Sequence, residues 1–494
     1  MFIPWLPKSD TYRQSLGLNG LASDSEVRQL PTFYGMLALS TECRALMSQV
    51  THVFELTSST PCSETRICDP ASASIHPESL PPEATPPQVP LPDVGIRPWL
   101  QVVAGFFLMF NAWGTIFSFG VFQTFYTSPS GSIKDNKAPS AIAWIGSLQT
   151  FLLLFGGAMS GICFDKGYFR YMILLGTFFV VIGMMFLSLA TSYYQVLLSQ
   201  GLCVGLGLGL LLVPSVGLPS TWFVKHRGIA VGLVSSGASI AGIVLPTAAR
   251  ALISTWNFQW AARILAFLSL ASLAISISLA RQRLPPRGRG SLVEYRALRQ
   301  PEFTLYIFGL FLSMFGLYTF YGFIEVWAVS SNVLNRSKLQ PAYILPILNA
   351  ASLVGRIGPS YCSDLLGPLN IQAPALLLCG ILVLVWLKVQ TTASFLIVVV
   401  LYGIASGAVI AMPPVVISSM TEDMTTFGGR MGVFFLAISC SSLAGPPING
   451  AIIQAQNMAY DGTRIFSGVV IILGAGFLGA ARMTKSKLKL YVKV

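Results

Sequence analysis

From Trp99 onward the chain alternates long apolar runs with short polar loops. The runs cover 99–124, 141–164, 171–190, 195–218, 228–251 and 258–280, then 303–326, 342–362, 372–390, 394–418, 430–454 and 465–482. About 20 residues, at roughly 1.5 Å of rise each, cross a hydrocarbon core about 30 Å thick. No water reaches backbone amides there, so such runs must close as helices. The pattern predicts an all-α membrane protein with 12 transmembrane helices in two pseudo-symmetric six-helix bundles.

The polar stretches divide the rest. Residues 1–92 are a different material, rich in Ser, Pro, Thr and Glu between Ser58 and Pro92, and are expected to form a disordered cytosolic region. The expected bundles are 93–281 and 302–482, with a basic cytosolic linker at 282–301 and a basic cytosolic tail at 483–494. No signal peptide is evident behind Met1, because a basic start and a long apolar run are both missing.

Charge sets the expected orientation. With both termini in the cytosol, the inside loops and the tail hold 16 Lys and Arg residues. The outside loops hold seven: Lys134, Lys137, Arg250, Arg336, Lys338, Lys388 and Arg464. A multi-pass protein of the plasma membrane is expected, with the sequon at Asn335 outside and available for glycosylation. The net charge of +12 is spread over loops and tails without an aromatic-interleaved stripe, so no nucleic-acid partner is expected.

Two halves of the chain repeat each other. Gly161–Gly167 closes the second run and Gly358–Gly367 the eighth, and Asp364 follows Asp165 by 199 positions. Gly207 and Pro214 match Gly407 and Pro414 at an offset of 200, and Ala241-Gly242 match Ala444-Gly445 at 203. Duplicated six-helix units belong to carriers that rock one bundle against the other around a central site. Asp165, Lys166, Arg170 and Asp364 are the expected conformational latch, since an aspartate can accept hydrogen bonds from a helix N-terminus. A capped turn without a gating role is the plainer alternative.

Three stripes could face cargo. Asn349, Ser352 and Arg356 share one face of the eighth run, and a guanidinium suits a carboxylate or enolate. Tyr318, Tyr321 and Glu325 form a second stripe, and Asn111, Thr115 and Ser118 a third. Snorkelling of the arginine, an interfacial tyrosine belt and interhelical hydrogen bonding are the respective structural alternatives. Glu325 is the one acid expected within a span, which makes it the candidate for coupling to protons. The glycines at 201, 205, 207 and 209 sit inside a span and read as close helix packing rather than as a dinucleotide loop. No Walker A motif, nucleophile–base pair, CxxC or metal-ligand spacing occurs. Neither an enzyme nor a cofactor is expected.

The segment Gly161–Arg170, read as Gly-x-x-x-Asp-Lys-Gly-x-x-Arg, resembles the signature of the major facilitator superfamily. Trp222–Gly237 is similar to the second signature of the monocarboxylate porter family, and Phe117–Tyr126, Gln259–Arg263 and Asn349–Asn370 resemble its fungal branch. The resemblance implies a secondary transporter working by alternating access. Its animal members carry a lysine in the first helix and an aspartate one turn before the arginine of the eighth. Here no charged residue lies between Arg97 and Lys134, and Ser352 precedes Arg356. The expected cargo is therefore a small organic, carboxylate-like anion, with export of a specialised metabolite favoured over nutrient uptake. A non-transporting nutrient sensor on the same fold is the alternative.

Overall fold

The computed structural model describes residues 95–126, 139–283, 295–331, 333–334, 339–456 and 460–486. The expected head, most of the linker, the tail beyond Ser486 and the sequon at Asn335 lie outside the described residues. The first half runs through α1 (Ile96–Tyr126), α2 (Pro139–Asp165), α3 (Phe169–Leu187), α4 (Tyr193–Trp222), α5 (Arg227–Thr255) and α6 (Phe258–Leu279). The second half is α7 (Pro301–Ser330), α8 (Ile344–Leu366), α9 (Pro368–Lys388), α10 (Thr392–Ser419), α11 (Phe427–Ala455) and α12 (Asp461–Lys485). Among the described residues there is no strand.

Eleven of these helices are long and apolar enough to cross a membrane; α8 is the exception. Its length suffices at 23 residues, but Asn349, Ser352, Arg356, Ser360 and Ser363 form a buried polar row along it. Val354, Tyr361 and Leu365 are exposed on its other faces. In lipid this reversed polarity is the stable arrangement, because polar groups find partners only inside the protein. Leu174, Leu175 and Phe178 of α3, Phe267 of α6 and Leu473 of α12 likewise face outward. A wide exposed apolar surface of this kind is what acyl chains cover.

Two helices depart from uniform α-helix. Leu197–Val204 within α4 is π-helical. In α10 the α-helix stops at Ala411 and restarts at Pro413, where proline lacks the N–H needed to continue the ladder. The glycines of α4 pack as expected from the sequence: a Cβ at Gly207 would lie 2.8 Å from the Gly176 carbonyl oxygen, and one at Gly209 2.8 Å from the Gly156 Cα.

Within the halves, α1 packs on α4, α5 and α6, while α7 packs on α11 and α12 and α8 on α10. Two pairs make the most extensive contact between the halves: α2 with α11, and α5 with α8. These two joints position the site.

Candidate functional site

At one end of the molecule the halves are bolted together twice. Asp165 ends α2, and its carboxylate accepts the Gly428 and Gly429 amides at 2.8 and 2.7 Å. Asp364 near the end of α8 accepts the Gly228 and Ile229 amides at 2.6 and 2.9 Å. Those four amides belong to the first turns of α11 and α5, where N–H groups have no intrahelical acceptor and the helix dipole favours an anion. Each carboxylate thus caps a helix of the opposite half. Lys166 and Arg170 are exposed, and the two capping bonds of this junction are accepted by Asp165.

Glycine makes the approach close enough. A Cβ at Gly428 would collide with the Gly161 carbonyl and the Asp165 carboxylate, and one at Gly228 with Ser360. Arg356 lies within the α5–α8 joint, 3% exposed, donating to the Ser235 carbonyl at 2.9 Å and to Ser352 Oγ at 3.3 Å. Ser239 Oγ meets the same Ser352 hydroxyl at 3.4 Å.

Toward the other end the halves part around a cavity of about 680 Å³. α1 contributes Trp113, Ile116, Phe117, Gly120 and Thr124, at the i, i+3, i+4, i+7 spacing of one helix face. α5 adds Gly242, Pro246 and Arg250; α7 adds Tyr318, Tyr321 and Glu325; α8 adds Asn349. Trp113 and Tyr318 face each other from opposite halves, ring centroids 6.3 Å apart and planes 19° from parallel. In the same cavity wall Asn349 Nδ2 donates to the Leu345 carbonyl at 3.0 Å, while its Oδ1 has no hydrogen-bond partner among the described residues. Glu325 and Arg250 bring opposite charges to the cavity from opposite halves.

The structure therefore brings Asn349, Tyr318, Tyr321 and Glu325 together at one cavity. It puts Ser352 and Arg356 in the joint, and Asn111 between α1 and α6, where Nδ2 donates to Ser272 Oγ at 2.8 Å. Three cations counted as outside-loop charges, Arg250, Lys388 and Arg464, lie in helices instead. Arg250 stands in the cavity wall, and Arg464 is sandwiched between Trp327 and Trp386, 4.7 and 4.6 Å from their ring centroids. Trp113, Gly242 and Arg250 were not legible as site residues. The one available signal was their spacing: Arg250 follows Gly242 by two turns on the same helix face.

Residues 102–426 match the family model described as Major Facilitator Superfamily. An "MFS-type transporter" of Gibberella zeae is 36% identical over 425 residues, covering 86% of this chain and 95% of that protein. The "Fujikurins efflux protein" of Gibberella fujikuroi is 34% identical over 407 residues, covering 81% and 85%. Among solved structures, that of a human organic anion transporter (TETRAN) superposes with a TM-score of 0.61 at 15% identity, covering 77% of this chain and 99% of that one.

Proposed function

The chain belongs to the major facilitator superfamily of multi-pass membrane transporters, and we propose that it exports a small organic anion of specialised metabolism by alternating access. One observation carries the reading. The cavity lies between halves that, among the described residues, are capped to one another at the Asp165–Asp364 end alone, which is the geometry of a carrier caught facing one side. The similarity to a relative named for efflux supports export, and the match at Trp222–Gly237 supports a place in the monocarboxylate porter branch.

We place both termini in the cytosol of a cell whose plasma membrane holds the protein, from the Lys and Arg distribution. The Asp165–Asp364 end is then the closed cytosolic gate, and the cavity faces outward. Arg250, the cation among the described residues lining the cavity, receives the negative group of the cargo. Arg356 acts at one remove, by holding the α5–α8 joint shut. Glu325 is the acid among the described lining residues and supplies the proton-coupling group.

Comparative metabolite profiling inside and outside cells, with and without the gene, tests export. A specialised acid should accumulate inside when the gene is deleted; identical profiles would exclude export. For coupling, Glu325→Gln should keep exchange of cargo across a membrane but lose its response to an imposed pH gradient. A gradient response equal to that of the unaltered protein would remove Glu325 from the role.

A further inference from the structure

Trp113 sits on α1 and Tyr318 on α7, so the two halves of the molecule each present one ring to the same cavity. The planes are within 19° of parallel with centroids 6.3 Å apart. A ring inserted between two others needs carbon contacts of about 3.5–4.0 Å on each face, or roughly 7–8 Å between the outer rings. The observed 6.3 Å between centroids is shorter than that span, so a ring enters only as the halves move apart here. Each ring is also backed by another on its own helix: Phe117 lies 6.1 Å from Trp113, and Tyr321 lies 6.2 Å from Tyr318. The slot is therefore the centre of a longer aromatic wall.

A second, independent feature lines the same cavity. Asn349 lines the cavity, is 3% exposed and uses its Nδ2 on its own helix, and its Oδ1 is a buried acceptor without a donor among the described residues. Such an atom carries the full cost of lost solvation until a donor arrives. Gly242 of α5 lines the same cavity, with its missing Cβ 2.9 Å from that oxygen. α5 offers no side chain there, which leaves the donor to be supplied from the cavity.

We infer that the cargo is a planar, conjugated ring system carrying an O–H or N–H donor, its ring held between Trp113 and Tyr318 and its donor given to Asn349 Oδ1. The inference rests on the reading of this cavity as the cargo site, and it names the chemistry that the site selects. A saturated skeleton fills the same volume but gains no stacking on either wall. A conjugated molecule without the donor leaves Asn349 unsatisfied.

The test is calorimetric titration of the purified full-length protein with three probes: 6-hydroxy-2-naphthoate, 6-methoxy-2-naphthoate and the fully saturated 6-hydroxydecahydronaphthalene-2-carboxylate. The hydroxynaphthoate should bind about tenfold more tightly than either of the others. Trp113→Leu should erase the preference for the planar skeleton alone. Asn349→Leu should erase the preference for hydroxy over methoxy alone. Equal affinities in the unaltered protein, no binding of any naphthalene, or a hydroxy preference that survives Asn349→Leu would each overturn the inference. The first two of these need no variant, so a misfolded variant cannot shelter the idea. The anion reading fails separately: Arg250→Gln should weaken all three carboxylates together, and unchanged affinities with the other preferences intact would remove Arg250 while leaving the aromatic slot standing.

Discussion

Asn349 owes its place to a glycine on the facing helix. A methyl group at Gly242 would sit 2.9 Å from both the amide carbon and the amide oxygen of Asn349, so the amide must turn away. Gly242→Ala is expected to lower cargo affinity about tenfold, the worth of one well-placed hydrogen bond, with normal surface expression; unchanged uptake into inverted vesicles would show that the amide is not used. Arg356 makes a different prediction, because its guanidinium is spent on Ser235 and Ser352 across the joint. Its loss removes hydrogen bonds worth about 1.5–3 kcal/mol each when one partner is charged. Arg356→Ala should therefore slow transport of charged and uncharged cargo alike, whereas a loss confined to anions would return it to the cargo site. The polar row on the eighth helix was visible in the sequence, but not which members face cargo. Hydrogen bonding inside a seal and hydrogen bonding to a ligand call for the same residue types. Asn349 and Arg356 lie seven positions apart on one face, so only depth separates them.

At the scale of helices, the sequence showed where apolar runs begin and end because lipid imposes one length and one polarity on them. On α1 it left two readings open, a cargo face and interhelical hydrogen bonding. The polar stripe of Asn111, Thr115 and Ser118 is buried in the packing of the first half, while the cavity face is Trp113, Ile116, Phe117 and Gly120. A cavity for an apolar body needs apolar walls, so polarity cannot mark it. Nor do π-helical turns have a signature in composition, and Leu197–Val204 was read as ordinary helix. The glycine matches, by contrast, were informative, since backbone-to-backbone contact tolerates no side chain. Gly428→Ala puts a methyl group against the Gly161 carbonyl and the Asp165 carboxylate. The α2–α11 joint should then fail to close, abolishing transport while α5 and α8 still fold against each other. Transport equal to that of the unaltered protein would mean that the joint never needs the observed closeness.

For the molecule as a whole, the issue is whether two latches act as one gate. Asp165 and Asp364 are related by the internal repeat, and each caps a helix of the opposite half, so each bond set is lost only when the halves separate. Ser235 lies buried in the α5–α8 joint and makes a reporter: a cysteine placed there, in a chain freed of its other reactive cysteines, meets a membrane-impermeant maleimide, added on the side proposed to be cytosolic, only when the gate opens. Asparagine in place of either aspartate keeps the shape but weakens two charge-assisted bonds and the favourable charge at a helix N-terminus. At about 1.4 kcal/mol per latch, each single substitution should speed labelling about tenfold. If one rigid movement breaks both caps, their energies add in the same equilibrium, and the double substitution should speed labelling about a hundredfold. Labelling in the double variant no faster than in Asp364→Asn alone would show that the α5–α8 end opens independently, and would replace a rocking gate by two separate flaps.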